Sequence, residues 1–535
     1  MLRNFFLAFL SGILLAVAWP TYGIPLFIFF AFVPLLILTH ELNKSNLPKK
    51  YLKLFFFSYL SFLLWNILTT HWLNNASMFG AVFAIGCNSI FFAIIFTAYG
   101  WALNRLPKHS AALFLVSFWM AFEKFHLGWD LSWPWLTLGN VFSESILWIQ
   151  WYEYTGVFGG TLWIWLVNFW AFHAWQKRKL SAGSWRKQLA KIGIGIALPI
   201  FISHLIYRNQ EEANMERISV VTLQPNLDPY QEKYSFTNAA LLEKMISMTD
   251  EYLDDKTDYL LTPEGYFDEG FGLDLNRYQN QPFYASVSKW LTNYPQLHLL
   301  SGVQSYQVYP PNKKAPSPTA NRSRNGQWYD VYNSAFDLSA TEKDQIYHKS
   351  KLVPGVEFMP FKNTLEPIIG AFLLDFGGTI ATRGIQKERT VFTHQTKGIK
   401  TAPIICYESI YGDFVTEYVR KGANFLSIIT NDAWWDDTQG HKQLLSYARL
   451  RAIETRRAIA RSANTGISAF INTKGELVKT MKYNTGGALK AEIPVNDKIT
   501  FYTRYGDVLV GWASLFFLLS GSIALSGRLK NTRKS

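Results

Sequence analysis

A series of long apolar segments constrains this sequence more than any other feature. A membrane-spanning helix needs about 17 to 25 mostly apolar residues, and about eight segments meet that need. They cover residues 4–19, 24–40, 52–70, 80–103, 110–126, 157–175, 190–207 and 507–526. The pattern predicts a polytopic α-helical membrane domain of about eight spans and excludes a wholly water-soluble chain.

The composition shows that the apolar segments are only part of the chain. Of the 535 residues, 49% are hydrophobic and 17% are charged, yet the mean hydropathy is only +0.03. The balance comes from residues 217–500, whose composition is that of an ordinary water-soluble α/β domain. We therefore predict three parts: seven transmembrane helices in residues 1–210, a soluble domain in 217–500, and a last transmembrane helix with a basic tail in 505–535.

Lysine and arginine residues occupy alternate joints between the apolar segments. They follow the second, fourth, sixth and last segments, whereas the joints at residues 20–23 and 69–79 contain neither. Basic loops are retained on the cytoplasmic side. Both termini are therefore expected in the cytoplasm, and residues 217–500 on the opposite face, which in a bacterium is the periplasm. This placement also explains the net charge of +13 without a nucleic-acid partner.

The first apolar segment has an alternative interpretation. It ends in Ala16-Val17-Ala18, the small-residue pattern of a signal-peptide cleavage site. Cleavage would leave Trp19-Pro20 as the new N-terminus, which is an awkward site. We therefore expect the segment to remain as the first span.

Short apolar runs alternate with helical patterns through the soluble part. The strand-like runs are residues 218–223, 259–262, 297–303, 331–338, 401–406, 426–430 and 466–472, and helical patterns include 238–253 and 442–458. Such alternation predicts layered α/β architecture. Residues 309–326 are rich in Pro, Lys, Asn and Ser, which is typical of an exposed loop.

Three residues with useful chemistry stand near the ends of these runs. Glu264 follows the second run, Lys349 precedes Leu352-Val353-Pro354, and Cys406 ends the fifth run. Strand ends in α/β folds meet in one crevice. The trio suits acyl transfer, with Cys406 as nucleophile, Glu264 as proton acceptor and donor, and Lys349 with backbone N–H groups stabilising the oxyanion. A nearby Lys349 also favours the thiolate form of Cys406.

Each of these residues also has an ordinary structural explanation. A cysteine at a strand end is more often a small core residue, a Pro-Glu pair is usually a solvated turn, and a lone lysine is usually on the surface. Lys351 is an alternative electrophile two positions from Lys349. The only other cysteine, Cys87, lies in an apolar segment, so a disulfide framework is excluded. From the residues alone, catalysis stays one interpretation among others.

Longer motifs surround the three residues. They are Trp133-Pro134-Trp135-Leu136, Gly156-Val157-Phe158-Gly159, Gln224-Pro225-Asn226, Pro263-Glu264, Tyr347-His348-Lys349, Cys406-Tyr407-Glu408 and Thr430-Asn431-Asp432-Ala433-Trp434. With these motifs the soluble part resembles the nitrilase superfamily. Together with the membrane part, nearly the whole chain is similar to the apolipoprotein N-acyltransferase family. The resemblance implies an α-β-β-α sandwich with a catalytic triad of Glu264, Lys349 and Cys406.

The resemblance also implies an activity and its partners. A phospholipid would give a fatty acyl chain to Cys406 as a thioester. The N-terminal amine of the S-diacylglyceryl-cysteine of an apolipoprotein would then accept it, in the last step of lipoprotein maturation at the bacterial inner membrane. The resemblance implies no cofactor, no metal and no nucleic acid. Nothing in the sequence requires a partner chain, so we expect a monomer.

Further residues receive roles from the resemblance. Glu357, Tyr407 and Glu408 are expected to support the triad, with the two acids orienting Lys349 or forming the cleft. Tyr234 and Trp434 are candidates for substrate binding. Two positions depart from the family pattern, since Gly355-Val356 stands where the family has Phe-Gly and Tyr234 where it has Trp. The apolar stretches 358–378 and 265–283 are candidate lids.

Two other functions remain as alternatives. A membrane-tethered amidase of the same superfamily would use water as acceptor and would need a polar, open acyl pocket. A transporter or binding scaffold would place ionisable residues along the apolar spans. Glu123 and Lys124 give little support for that, because both lie near the end of the fifth span.

Overall fold

The computed structural model describes residues 1–45, 47–178, 182–228, 235–311, 314–362, 364 and 382–526. The chain forms two compact units. One comprises Met1–Asn74, Met78–Asn209 and the chain from Tyr505, and the other comprises Asn75–Ser77 and Gln210–Arg504. Tyr234, most of the candidate lid at 358–378 and the basic C-terminal tail lie outside the described residues.

The first unit consists of helices at all eight positions predicted for spans. Their bounds are Leu2–Ala18, Pro25–Lys44, Lys50–Thr70, Met78–Ala102, Lys108–Phe125, Val157–Lys177, Ala182–Arg208 and Val508–Ser526. Within the described residues, six of them are long and apolar enough to cross a membrane. Leu2–Ala18 is apolar but shorter, and Lys108–Phe125 carries three charged residues. The predicted polytopic helical domain is thus confirmed with six clear spans rather than eight.

A buried asparagine forms hydrogen bonds with the backbone at the break inside the second of these helices. The turn Pro25–Phe29 is a 3₁₀ helix that stops before Val33–Lys44 begins. Asn168 accepts a hydrogen bond from the Phe32 N–H at 2.9 Å and donates one to the Ile28 carbonyl at 2.9 Å. Unpaired backbone groups are costly in an apolar environment, so this side chain allows the irregular turn there.

The ionisable residues of the fifth helix have structural partners. Glu123 is buried and accepts hydrogen bonds from Trp119 Nε1 at 3.0 Å, the Leu138 N–H at 2.8 Å and Thr161 Oγ1 at 2.8 Å. Lys124 pairs with Asp507 at 2.6 Å. Both residues therefore hold helices and connecting turns of this unit together.

The second unit contains two β-sheets. The strands are β1 Arg217–Gln224, β2 Thr257–Leu261, β3 Leu273–Asp274, β4 His298–Val308, β5 Asn321–Arg322, β6 Trp328–Ser339, β7 Gln345–His348, β8 Phe392–His394, β9 Ile399–Ile405, β10 Phe425–Thr430, β11 Ile459–Ala463, β12 Ala469–Ile471, β13 Leu477–Thr480 and β14 Gly487–Pro494. One sheet has the order β14-β1-β2-β4-β6-β5, with β3 beside β4 and β7 beside β6. The other has the order β13-β12-β11-β10-β9-β8.

The two sheets pack face to face between layers of helix. Tyr259 of β2 contacts Phe425 of β10 at a centroid distance of 5.2 Å, and Ser462 of β11 donates to the Leu223 carbonyl of β1 at 2.6 Å. Helices Asn238–Thr249 and Pro282–Leu291 cover the first sheet through a shared apolar core. Helices Gly412–Arg420 and Gln439–Thr455 pack on the second. The α-β-β-α architecture is confirmed.

The sequence prediction has no counterpart for seven of the observed strands, namely β3, β5, β7, β8, β11, β13 and β14. The sequence prediction has no strand at Ile459–Ala463, where β11 lies in the middle of the second sheet. Arg461 and Ser462 interrupt the apolar run there and hide the strand. In the structure Arg461 is buried and pairs with Asp432 at 2.7 Å, so a charged residue is accommodated inside the sheet.

Two predicted loops contain more structure than expected. In the 265–283 stretch, Tyr266 and Phe267 are buried in the core of the first sheet, and Leu273–Asp274 forms β3. In the 309–326 stretch, Asn321–Arg322 pairs with β6 as β5. Asp330 of β6 also accepts from Ser317 and Thr319, so the latter loop is fastened to the sheet.

Candidate active site

Glu264 lies in the turn directly after β2. Its Oε1 accepts from Lys349 Nζ at 2.9 Å and from Asn333 Nδ2 at 2.7 Å, and its Oε2 accepts from the Asn431 N–H at 3.1 Å. The turn lies against Gly302 of β4, where a Cβ would stand 2.1 Å from the Pro263 carbonyl oxygen. Only glycine allows that approach, so the close packing against β4 fixes the position of the turn that carries the Glu264 carboxylate.

Lys349 follows β7 and is almost wholly buried, with 1% of its side chain exposed. Its ammonium lies between two carboxylates, 2.9 Å from Glu264 Oε1 and 3.0 Å from Glu357 Oε2. Burial alone would lower the pKa of Lys349, but the two carboxylates and Cys406 raise it above its ordinary value. Lys349 is therefore a fixed positive charge rather than a base.

Asn333 of β6 connects both acids. Its Nδ2 donates to Glu264 Oε1 at 2.7 Å and to Glu357 Oε1 at 3.1 Å, and its carbonyl accepts from the Lys349 N–H at 2.8 Å. Glu357 Oε2 also accepts from the Val353 N–H at 2.9 Å. Sequence reasoning missed Asn333. Its only signal is a polar residue inside a predicted strand.

Cys406 begins a 3₁₀ turn, Cys406–Ile410, immediately after β9. Its φ is +50°, a left-handed conformation that costs a non-glycine residue roughly 1–2 kcal/mol. Such strain is typical of functional sites. The thiol is buried, and the neighbouring Thr430 side chain acts to lower its pKa.

The electrostatics of Cys406 differ in part from the sequence expectation. Burial raises the pKa of the thiol most, and the charge of Glu264 raises it further, whereas Lys349 lowers it. The effect expected of Lys349 is present but outweighed, and the net pKa is above the ordinary value. Cys406 therefore rests as a thiol, and a proton acceptor must assist its attack on a carbonyl.

Glu408 ties the cysteine turn to the lysine segment. Its Oε1 accepts from Tyr347 Oη at 2.7 Å and the Ser350 N–H at 2.6 Å, and its Oε2 accepts from the Ile405 N–H at 2.9 Å. Glu408 is fully buried, and burial raises its pKa while these hydrogen bonds oppose that shift. It therefore holds the residues flanking Lys349 and Cys406 in register.

The helix Gln439–Thr455 supports the cysteine turn from behind. Arg451 Nη1 donates to the Ile410 carbonyl at 2.6 Å, and Arg451 pairs with Glu454 at 2.9 Å. Thr438 caps the start of this helix by accepting from the Gly440 N–H. The paired charge allows Arg451 to be buried beside the turn.

The structure brings some predicted residues together and places others at the margin. Lys349 is in direct contact with both Glu264 and Glu357. Cys406 is close enough to Glu264 and Lys349 for their charges to shift its pKa. Lys351 instead lies over the Tyr411 ring, 5.0 Å from its centroid. Of the other supporting and substrate-binding candidates, Tyr407 is buried against Tyr411, Trp434 is half-buried, and Tyr234 lies outside the described residues.

The arrangement suits addition of a thiol to a carbonyl. A carboxylate positioned by three donors can take a proton, and a buried ammonium can stabilise negative charge that develops on oxygen. The chemistry therefore centres on carboxylate, ammonium and thiol.

Comparison with known families matches both parts of the chain. Residues 11–170 match the family model described as "Apolipoprotein N-acyltransferase N-terminal domain". Residues 217–500 match the model described as "Carbon-nitrogen hydrolase". The second match covers the whole of the two-sheet region that holds Glu264, Lys349 and Cys406.

Two relatives match this chain over nearly its whole length. The apolipoprotein N-acyltransferase of Chlorobaculum tepidum is 28% identical over 95% of this chain and 94% of its own length, and that of Geobacter metallireducens is 25% identical over 96% and 93%. Among solved structures, a CN-hydrolase superfamily protein of Xanthomonas campestris is 14% identical over 58% of this chain and 97% of its own, with a TM-score of 0.36. An amidase from Nesterenkonia sp. is 15% identical over 56% and 100%, also with a TM-score of 0.36.

Proposed function

The chain belongs to the carbon-nitrogen hydrolase family, and from this premise we propose that it works as an apolipoprotein N-acyltransferase of a bacterial inner membrane. The observation that carries the proposal is the Glu264–Lys349–Glu357 cluster beside a strained cysteine, in a chain whose described residues also include six apolar helices long enough to span a membrane. The phospholipid donor and the lipoprotein acceptor follow from this activity.

Transfer to an amine is favoured over hydrolysis by the relatives of the chain and by the helical unit that accompanies the site. The full-length relatives carry the acyltransferase name, and the helical unit contains the matching N-terminal domain. Both substrates of the transferase are lipid-anchored, so a site held at the membrane surface gains from proximity and from reduced access of water.

In the first half-reaction Cys406 takes the acyl group from a phospholipid ester. Glu264 accepts the thiol proton as Sγ bonds to the ester carbonyl carbon, and the oxyanion forms near Lys349 Nζ. Collapse breaks the ester C–O bond. The departing alkoxide takes the proton back from Glu264 and leaves as a lysophospholipid, and Cys406 carries the acyl chain as a thioester.

In the second half-reaction the α-amine of the diacylglyceryl-cysteine attacks the thioester. Glu264 accepts a proton from the amine, the C–S bond breaks, and the thiolate of Cys406 receives that proton. Lys349 keeps its charge throughout, because its pKa is raised above its ordinary value by the flanking carboxylates, although burial opposes this. Glu357 and Asn333 act as positioning residues that hold Lys349 and Glu264 in place.

The orientation of the chain in the membrane is part of the proposal. The basic joints after the second, fourth and sixth segments support cytoplasmic termini and a periplasmic two-sheet region. On that side the enzyme would meet lipoproteins after their export.

Intact mass spectrometry tests the thioester. Incubation of the purified protein with phospholipid mixed micelles and no acceptor should add the mass of one fatty acyl chain. The adduct should be lost in Cys406→Ala and kept in Cys87→Ala, which removes the other thiol. A phospholipase should hydrolyse the phospholipid in the same micelles, which shows that the donor is accessible. Unmodified wild-type protein under those conditions would refute the mechanism.

The amidase alternative is separated by the fate of the acyl group. Adding a synthetic diacylglyceryl-cysteine peptide to the acylated protein should produce the N-acyl peptide with little free fatty acid. Release of free fatty acid at the same rate with and without the peptide would instead identify water as the acceptor and the protein as a hydrolase.

A further inference from the structure

A second cluster of buried polar groups lies at the other end of the two-sheet region. It joins His298, the first residue of β4, to His394, the last residue of β8, and to Glu342 in the loop after β6. The side chains of His298 and His394 are each 2% exposed and that of Glu342 is 6% exposed. Cys406 follows the opposite end of β9, so the catalytic proposal does not use this cluster.

Hydrogen bonding fixes the tautomers of both imidazoles. His298 Nδ1 lies 2.9 Å from Asp337 Oδ2 and donates to it. His394 Nε2 lies 3.1 Å from the Gln296 carbonyl oxygen and donates to it. Each neutral ring therefore turns its other nitrogen, with a lone pair, toward Glu342.

Three acceptors thus face one another. His298 Nε2 lies 3.5 Å from Glu342 Oε2, and His394 Nδ1 lies 3.5 Å from Glu342 Oε1. Neither nitrogen has a hydrogen-bond partner in the part of the chain that the structure describes. Buried acceptors without a donor are costly, so this arrangement calls for a cation between them.

The geometry fits a small metal ion with nitrogen and oxygen ligands. The three ligand atoms lie within 4.8 Å of one another. At zinc–ligand bonds of about 2.0–2.1 Å, neighbouring ligands of a tetrahedral site stand roughly 3.3 Å apart. The two 3.5 Å distances need little adjustment to reach that value.

The surroundings of the cluster are those of a metal site. Metal-binding histidines usually donate their second N–H to a carboxylate or a backbone carbonyl, as His298 and His394 do. The carboxylate of Glu342 is itself oriented by the N–H groups of Gln395 at 2.8 Å and Thr396 at 3.0 Å. All three ligands are therefore pre-positioned.

The local charge also favours a divalent cation. Asp258, Asp337 and Glu342 bring three carboxylates to this region, and Lys397 pairs with Asp258. With neutral histidines, two negative charges remain uncompensated in a buried place. Buried charges of one sign are unfavourable unless they are paired or bind a metal.

We propose that His298, His394 and Glu342 bind one Zn²⁺ ion, with water in the fourth position, as a structural tie between the two sheets. Zinc is preferred because two imidazoles and one carboxylate are among its usual ligand sets. The ion would join β4 and the loop after β6 in the first sheet to β8 in the second.

A proton is the rival occupant. Burial lowers the pKa of His298, but Asp337 and Glu342 outweigh it and raise the pKa above its ordinary value. A protonated His298 could then donate to Glu342. That arrangement gives no partner to His394 Nδ1, whose ring has a lowered pKa mainly because of burial.

Metal analysis of the full-length protein in detergent tests the proposal. After incubation with Zn²⁺ and desalting, wild type should retain about one zinc ion per chain. His394→Ala and Glu342→Gln should retain less than about a tenth of that. His441→Ala is the matched control, because it removes a buried histidine that pairs with Asp437 and lies outside the cluster, and it should bind zinc as wild type does.

Two further measurements keep the test independent of variant folding. Dipicolinate should lower the thermal midpoint of wild type, and added Zn²⁺ should restore it. Cobalt-loaded wild type should show the visible absorption of a tetrahedral site with nitrogen and oxygen ligands. Wild type without stoichiometric zinc, equal zinc in His394→Ala, or a midpoint that the chelator leaves unchanged would overturn the proposal in favour of the proton.

Discussion

At the scale of single residues, the site depends on the two side chains that lie between its carboxylates, Lys349 and Asn333. Glu264 and Glu357 would repel each other if Lys349 and Asn333 did not stand between them. The lysine supplies the charge and the asparagine supplies direction, since one amide nitrogen donates to both acids. Asn333 is therefore expected to matter for rate although it has no group that can exchange a proton.

Replacement of Asn333 by alanine should slow acyl transfer about 10- to 100-fold, since hydrogen bonds to charged groups contribute roughly 1.5–3 kcal/mol. The substitution should lower kcat for acylation more than it raises KM, because it affects the placement of Glu264. Single-turnover acylation followed by intact mass measures this. Asn325→Ala, in an exposed turn of the same region, is the matched control and should leave the rate unchanged. A normal rate in Asn333→Ala would show that the amide only fills space.

The raised pKa of Cys406 predicts a pH dependence. Because the thiol ionises above its ordinary pKa, only a small fraction is thiolate at pH 8, and that fraction rises about tenfold per pH unit until the pKa is reached. Alkylation of Cys406 by iodoacetamide should therefore still accelerate above pH 9 rather than level off. The peptide containing Cys406, resolved by mass spectrometry, gives the rate.

Glu264 should affect alkylation and acylation in opposite directions. Its charge raises the pKa of Cys406, so Glu264→Gln should increase the thiolate fraction and speed alkylation at pH 8. The same change should abolish the acyl adduct, because it removes the proton acceptor. Slower alkylation in Glu264→Gln would contradict the electrostatic effect assigned to this carboxylate.

The sequence indicated Glu264, Lys349 and Cys406 as candidates, because Glu264 and Cys406 stand at the ends of strand-like runs and longer motifs surround all three. It could not reveal Asn333, whose role depends on the register of β6 with β4 and on the turn that brings Lys349 beside it. It also could not give the balance of charges on Cys406. That balance depends on burial and on distances that only the folded chain defines.

At the scale of elements, one carboxylate joins the two segments that carry the lysine and the cysteine. Glu408 accepts hydrogen bonds from Ser350, beside Lys349, and from Ile405, beside Cys406. The two segments belong to different sheets, because β7 pairs with β6 and β9 pairs with β10. Glu408 therefore ties the two segments together across the two sheets.

Replacement of Glu408 by glutamine should reduce stability and acyl transfer together. An amide group would point its NH₂ at a backbone N–H that now donates to a carboxylate oxygen, at a cost of about 2 kcal/mol. Thermal unfolding followed by tryptophan fluorescence should show a lower midpoint. Glu417→Gln is the control, since its side chain is one-third exposed and pairs with Lys421 at 3.6 Å. Equal midpoints for the two variants would rule out this role of Glu408.

Element prediction succeeded where periodicity was clean and failed where polar residues entered a strand. β1, β2 and β10 each contain a run of mostly apolar residues and were predicted nearly to their ends. β11 was missed because Arg461 contradicts the pattern, and only the partner Asp432 explains its burial. Long-range pairing of this kind has no local sequence signal.

At the scale of the whole molecule, the proposed orientation makes a prediction of its own. Cysteine introduced at Asn325, an exposed residue of the two-sheet unit, should react with an impermeant maleimide added to intact spheroplasts. Cysteine introduced at Lys187, an exposed basic residue near the start of helix Ala182–Arg208, should react only after lysis. Both substitutions are best made in Cys87→Ala to remove a competing thiol. The reverse labelling pattern would invert the topology.

The pairing of β1 with β14 has a consequence for the order in which the protein is made. These strands are the first and the last of the two-sheet unit, and they pair along their whole length from Arg217 and Pro494 to Gln224 and Gly487. The ribosome therefore delivers β1 long before its partner. Until β14 follows, β1 presents an open edge to which other chains can add. A folding factor that shields this edge during synthesis would be most useful to this protein in that interval.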